Sequence, residues 1–123
     1  MSTALHRQSI TKLIQEAKGP LSADEVRQEL GHRSIGQATV YRLLKQGVTE
    51  GEFLEVAFPE GPRRFEMAGL NHHHHFLCQE CDRAFDIKGC PKQVPKLAPE
   101  NFQVEDHDIL LRGRCPDCSR KAG

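Results

Sequence analysis

The sequence predicts an α+β chain: an N-terminal winged helix followed by a small α/β domain with a four-cysteine zinc site. Three observations predict this fold: three helix patterns in the first half, a hairpin pattern directly after them, and two Cys-x-x-Cys pairs in the second half. A chain of 123 residues can form one domain, or two small domains that a metal or a partner chain stabilises. We expect the winged helix in residues 1–69 and the second domain in residues 70–123.

The first half contains three short helix patterns. Residues 4–17 carry apolar side chains at helical spacing and are followed by a Gly-Pro stop. Ser22 and Glu25 have the spacing of a capping box, which predicts a second helix from Ser22 to Gly31. A similar Ser-x-x-Gln pattern predicts a third helix that begins at Ser34 and ends near Gly47. Three such helices in sequence suggest a helix-turn-helix.

The third predicted helix has two unlike faces. Val40, Leu43 and Leu44 share one face and are expected to be buried. The opposite face carries small, polar and basic side chains that suit the major groove of DNA. The candidate DNA-contacting residues are Ser34, Gln37, Ala38, Tyr41, Arg42 and Lys45. An ordinary solvated helix face is the alternative, because polar surfaces of this kind are common.

A hairpin pattern follows the third helix. The segments Phe53–Phe58 and Arg64–Met67 are expected to be strands, and they flank a turn rich in Pro and Gly. A hairpin directly after a possible recognition helix predicts a wing. The net charge of the whole chain is zero, which does not favour nucleic acid as a partner, although the first half is slightly basic and the second slightly acidic.

Cys78, Cys81, Cys115 and Cys118 form two Cys-x-x-Cys pairs. Four thiolates at this spacing match a tetrahedral zinc site, because each short turn lets two sulfurs reach the same ion. Two disulfides, or buried cysteines without metal, are the alternatives. The sequence shows no signal peptide and no long apolar segment, so we expect a reducing cytoplasmic setting without a membrane partner.

Four consecutive histidines, His72–His75, precede the first cysteine pair. If residues 71–78 form a strand, His73 and His75 share one face, while His72 and His74 share the other. The run can therefore serve two sites. Imidazole with carboxylate suits Zn²⁺, Fe²⁺ or Mn²⁺. A solvated polar patch or a leftover affinity tag is the alternative.

Taken together, these motifs resemble the ferric uptake regulator (Fur) family of bacterial metalloregulators, which includes Fur, Zur, Mur and PerR proteins. Residues 34–44 are similar to its recognition-helix signature, Phe65-Glu66 to the end of its wing, and residues 72–81 to its hinge and metal motif. The resemblance covers residues 7–118. It implies a homodimeric, metal-dependent repressor of metal-uptake genes that binds double-stranded DNA at an inverted repeat, with the second domain as the dimerisation domain.

The resemblance also implies three metal sites. The structural zinc falls on the four cysteines. A regulatory site for Zn²⁺, Fe²⁺ or Mn²⁺ falls on Glu66, His73, His75 and Asp86. A possible second site falls on His72, His74 and His107, with Cys90 or Gln93 to complete it. A thiolate at that position would favour zinc over iron, and a small buried cysteine is the alternative for Cys90.

The chain departs from the family pattern at several positions. Pro20 stands where many members carry a histidine that ties the winged helix to the sensed metal, and His6 and His32 are the candidate replacements. The prolines in residues 91–99 predict that the family's dimerisation helix is short or broken.

Two other functions remain possible at this level. A peroxide-sensing member of the same family is the first, because such members use an aspartate at the position of Asp86. A zinc enzyme is the second, but the sequence contains no His-Glu-x-x-His, no nucleophile signature and no Gly-rich phosphate loop. We therefore expect a regulator and not an enzyme.

Overall fold

A computed structural model of the chain describes residues 3–31 and 35–122 and divides it into two compact units, Met1–Gly69 and Leu70–Gly123. The first unit is a winged helix. Its elements are α1 (Thr3–Glu16), β1 (Leu21–Ser22), α2 (Ala23–Leu30), α3 (Gln37–Thr49), β2 (Phe53–Val56) and β3 (Arg64–Met67). Within the described residues, no helix is long and apolar enough to cross a membrane.

The core of the first unit lies between the three helices and the wing sheet. The buried apolar side chains are Ile10, Ile14, Val26, Ile35, Val40, Leu43, Leu44, Phe53 and Phe65. The prediction that one face of α3 is buried is therefore confirmed. Gly47 lets α3 approach β2 closely, because a Cβ atom there would lie 2.3 Å from the ring of Phe53.

The predicted capping box starts α2. The backbone N–H of Glu25 donates to the Ser22 hydroxyl at 3.1 Å, and the N–H of Ser22 donates to the Glu25 carboxylate at 3.0 Å. The same carboxylate pairs at 2.7 Å with Arg64, which is only 3% exposed on β3. Glu25 therefore caps α2 and also links this helix to strand β3 of the wing.

The predicted start of α3 at Ser34 is wrong. The helix begins at Gln37, and Gly36 is its N-cap, in an extended conformation without a side-chain capping bond. Ile35 and Val40 are both buried in the core and occupy the positions of a hydrophobic staple. Because Ile35 is buried and Gly36 is extended, the helix starts later than its capping pattern predicts.

The wing is antiparallel, as predicted. Its sheet order is β1-β3-β2, with Phe53 opposite Met67 and Val56 opposite Arg64. The first wing strand ends at Val56, before the predicted Phe58.

The second unit is built on a small mixed sheet of order β5-β4-β6. Its strands are β4 (His73–Cys78), β5 (Ala84–Lys88) and β6 (Leu110–Gly113), and α4 (Pro116–Ala122) follows. The outer strand β5 is antiparallel to β4, whereas β6 is parallel to it. Residues 89–109 make the connection that parallel pairing requires. They contain a single short 3₁₀ turn, Val94–Leu97, which confirms the predicted loss of a regular helix there.

Candidate metal centres and nucleic-acid interface

The four cysteines converge at one end of the second sheet. Cys78 ends β4, Cys81 lies in the turn before β5, and the second pair lies at the start of α4. All five cysteines of the chain are free thiols, so the disulfide alternative is wrong for the described structure. The four sulfur atoms lie within 4.8 Å of one another, with 3.9 Å between Cys81 and Cys115. A tetrahedral zinc with bonds of about 2.3 Å places its sulfurs about 3.8 Å apart, so the residues fit the ion.

The surroundings of the cysteines shift the pKa values of their thiols in opposite directions. Burial opposes ionisation of Cys78, yet backbone amides of Cys81, Cys115 and Glu80 lower the pKa of its thiol to about 6. The Cys115 amide donates to this sulfur at 3.3 Å. Burial, together with hydrogen bonds among the thiols, raises the pKa of Cys118 to about 12. A cation at the centre removes this conflict, because all four thiolates would then face a positive charge.

These cysteines also form most of the buried core of the second unit. Cys78, Cys115 and Cys118 are its clustered buried side chains, with Phe76 and Phe85 packed against them. Such a core contains little apolar surface, so we expect the unit to depend on the metal for its stability.

A second cluster lies on one face of β4. The Nε2 atoms of His73 and His75 each lie 3.6 Å from the same oxygen, Oδ1 of Asp86, and this oxygen is buried. That distance exceeds a hydrogen bond. It suits a shared cation, since two ligand atoms bound at about 2.1 Å in a tetrahedron lie about 3.4 Å apart.

The orientation of His73 favours metal binding. Its Nδ1 lies 2.8 Å from the backbone carbonyl of Asn71, to which only an N–H can donate. The proton of the neutral ring is therefore on Nδ1, and the lone pair of Nε2 points toward Asp86. This role of Asn71 could not be predicted from the sequence, because a backbone carbonyl leaves no signal in the side-chain pattern.

A third cluster uses the opposite face of β4. The side chains of His72, His74, Cys90 and His107 place their ligand atoms within 4.8 Å of one another. His74 is 2% exposed, and burial, with the nearby His72 and His107, lowers its pKa, which favours the neutral ring. Gln93, the other candidate for this site, is exposed just before the 3₁₀ turn.

The polar face of α3 is open to solvent. Gln37, Ala38, Tyr41 and Arg42 are exposed, and Tyr41 packs edge-on against Phe65 of the wing. Lys45 is half-buried and pairs with Glu55 at 3.1 Å, and Arg63 approaches the same carboxylate at 3.4 Å. The role of Glu55 could not be predicted from the sequence, since no local pattern indicates a contact between strand and helix. Ser34 lies outside the described residues.

The remaining candidates lie in the first unit. Glu66 is on β3, opposite Leu54 of β2. Pro20 is buried just before β1, and the Nε2 atom of His6 on α1 is buried without a hydrogen bond among the described residues. His32 lies outside the described residues.

Comparison with known proteins decides the family. The sequence model of the Ferric uptake regulator family matches residues 1–112. The chain belongs to the ferric uptake regulator family. Proteins of the Fur family are metal-responsive, DNA-binding transcriptional regulators that act as dimers, and this Fur-family chain is such a regulator.

Relatives named as Fur proteins match most of the chain. The "Ferric uptake regulation protein" of Bordetella parapertussis is 34% identical over 105 residues, which cover 81% of this chain and 76% of the relative. The Fur crystal structure from Vibrio cholerae is 28% identical, covers 90% of this chain and 89% of its own, and has a TM-score of 0.70. A Fur structure from Francisella tularensis, determined with iron, is 25% identical, with coverage of 93% and 91% and a TM-score of 0.66.

Proposed function

We propose that this chain is a homodimeric repressor of metal-uptake genes that binds an inverted-repeat operator when a metal occupies Glu66, His73, His75 and Asp86. The observation that carries this proposal is the pair of imidazole nitrogens facing one buried carboxylate oxygen at 3.6 Å. Nitrogen and oxygen ligands of this kind accept Zn²⁺, Fe²⁺ or Mn²⁺. Support for the fourth ligand, Glu66, comes from the sequence resemblance.

The four cysteines have a different role in this proposal. They hold a structural zinc, which keeps the second unit folded so that it can dimerise. The support is the burial of Cys78, Cys115 and Cys118 and the small number of other buried side chains in the described part of this unit. Structural zinc sites are closed, with four protein ligands, as four cysteines would provide.

We further propose that the exposed face of α3 contacts the major groove. Gln37, Ala38 and Ser34 would lie near base edges, while Tyr41, Arg42 and Lys45 would contact bases or phosphates. The support is the exposure of Gln37, Ala38, Tyr41 and Arg42 on this face and the burial of the opposite face.

Metal and DNA binding are coupled through ligands that belong to different units. Glu66 belongs to the first unit, whereas His73, His75 and Asp86 belong to the second. A metal that uses all four binds one arrangement of the units more tightly than others and shifts the population toward it. Pro20 removes one ligand that many relatives supply, so we expect weaker coupling in this chain.

The test is metal-dependent DNA binding by a variant that lacks both imidazoles. An operator is first selected from a random duplex library with the metal-loaded protein, and affinity is then measured by fluorescence anisotropy. A His73→Ala, His75→Ala double variant should keep one zinc per chain and lose the metal-dependent gain in affinity.

Lys88→Ala is the matched control, because Lys88 is exposed and lies opposite His73 on β5 without being a candidate ligand. It should behave as the parent. A double variant that still binds the operator tightly and responds to metal would move sensing to the cluster of His72, His74 and His107.

A further inference from the structure

The cluster on the second face of β4 gathers ligands from segments far apart in the sequence. His72 directly precedes β4, Cys90 lies two residues after the end of β5, and His107 lies shortly before β6. Gly89, between β5 and Cys90, has a φ of +91°, a conformation that favours glycine. Sulfur of Cys90 lies 2.9 Å from Nε2 of His107.

Hydrogen bonding cannot account for all of these short distances. Nε2 of His72 lies 3.1 Å from Nε2 of His74 and 3.2 Å from Nε2 of His107. A ring nitrogen has either one proton or one lone pair, so it forms one good hydrogen bond at a time. Nε2 of His107 also faces two neighbours, His72 and Cys90, and can form a good hydrogen bond with only one of them. A single cation at the centre would satisfy all of these atoms together.

The dimensions of the cluster suit zinc. Two nitrogens bound at about 2.05 Å in a tetrahedron lie about 3.3 Å apart, close to the observed 3.1 and 3.2 Å. A nitrogen and a thiolate on the same ion lie about 3.6 Å apart. The Cys90 side chain would therefore move outward by roughly half an ångström on binding, which its half-buried position in an irregular segment allows.

We propose that Cys90 is the sulfur ligand of this cluster and makes it an exchangeable site that takes zinc in preference to ferrous iron or manganese. Thiolate favours zinc over these harder ions, whereas carboxylate or amide oxygen in its place would not. His72 is exposed and Cys90 is half-buried, so the ion can enter and leave more readily than an ion among the four cysteines, three of which are buried. This inference rests on the metal-responsive function proposed above and adds the metal that this cluster binds.

His74 is the weakest of the four ligands. The backbone N–H of Ile109 donates to its Nδ1 at 3.1 Å, which places the proton of the neutral ring on Nε2. His74 can bind through Nε2 only after that proton moves, and the bond to Ile109 is then lost. Cys90, His72 and His107 therefore make the three stronger bonds.

Cobalt spectroscopy tests the sulfur ligand directly. Protein that retains its structural zinc is titrated with Co²⁺, and metal analysis after desalting verifies that this zinc stays in place. The parent should develop the intense near-ultraviolet band of thiolate-to-cobalt charge transfer. Cys90→Ser should lose that band, and its zinc affinity, measured by chelator competition, should fall at least about tenfold with little change for Mn²⁺.

Gln93→Ala is the matched control and should leave both the band and the zinc affinity unchanged. Zinc should also protect Cys90 of the parent from alkylation, read by mass spectrometry, while Mn²⁺ at the same concentration should not. A band that persists in Cys90→Ser, or that disappears in Gln93→Ala, would overturn the proposal. These readouts do not involve DNA, so failure of metal-dependent operator binding would count against the proposed repressor function alone.

Discussion

At the scale of single residues, Arg42 is the most direct test of the DNA-binding face. It is exposed near the middle of α3, among the small and polar side chains of that face. Arg42→Ala should weaken operator binding by about 1–3 kcal/mol if the guanidinium contacts a guanine, measured by anisotropy at fixed salt. Lys18→Ala removes an equal charge from an exposed position after α1 and should have a smaller effect. Equal losses in the two variants would point to charge alone.

Gly47 is a second residue whose role can be isolated. An added Cβ would lie 2.3 and 2.5 Å from ring atoms of Phe53, which is fully buried. Gly47→Ala should therefore lower the free energy of unfolding by about 1–3 kcal/mol, despite a helix-propensity gain of roughly 1 kcal/mol. Urea denaturation measures the change. Gly36→Ala, where a Cβ meets nothing within 4 Å, should cost much less, and an equal cost would contradict this packing argument.

Among the elements, α2 and β3 depend on one carboxylate. Glu25 closes the capping box of α2 and also pairs with the buried guanidinium of Arg64. Glu25→Ala should destabilise the first unit by about 2–4 kcal/mol, because it removes both a cap and an ion-pair partner of a buried charge. Thermal denaturation would measure this loss. Asp24→Ala is the control, since the one hydrogen bond of the Asp24 side chain to the described residues is an exposed one from Gln28. A comparable loss there would show that first-turn charge is responsible.

The two capping patterns show what sequence can predict about element boundaries. Ser22 and Glu25 satisfy one another locally, so their pattern was sufficient. The pattern at Ser34 was equally good by sequence, but Ile35 is drawn into the core and the helix starts at Gln37. A cap depends on a few neighbouring residues, whereas burial depends on the whole unit. The start of α3 could therefore not be predicted from its capping pattern alone.

At the scale of the whole molecule, the metal clusters also combine features that a local sequence pattern predicts with features that depend on the whole unit. The two faces of the histidine run follow from the period of a strand, and β4 confirms them. The approach of His107 and Cys90 to that strand depends on the path of residues 89–109. This segment connects β5 to the parallel strand β6, and its path has no local sequence signal. Only the family resemblance therefore suggested His107 and Cys90 as ligands.

Zinc removal should affect the two units differently. A chelator strong enough to strip the four cysteines should collapse the amide NMR signals of residues 70–123, because that unit loses the centre of its core. Signals from the first unit should remain dispersed, since its apolar core contains no candidate ligand. Cys81→Ser should produce the same spectrum. Retention of folded signals and of dimers by that variant would show that the structural zinc lies elsewhere.

The long connection of the second sheet has a consequence for chain entropy. Residues 89–109 contain one 3₁₀ turn and expose Leu97 and Phe102, so little in the segment itself restricts its conformation. An ion held by Cys90 and His107 would cross-link the two ends of this segment. In a simple loop-closure model, such a link removes about 3 kcal/mol of conformational freedom from the disordered chain. Zinc would then be a reversible cross-link of this segment. Proteolytic cleavage within the segment would report whether the cross-link is formed.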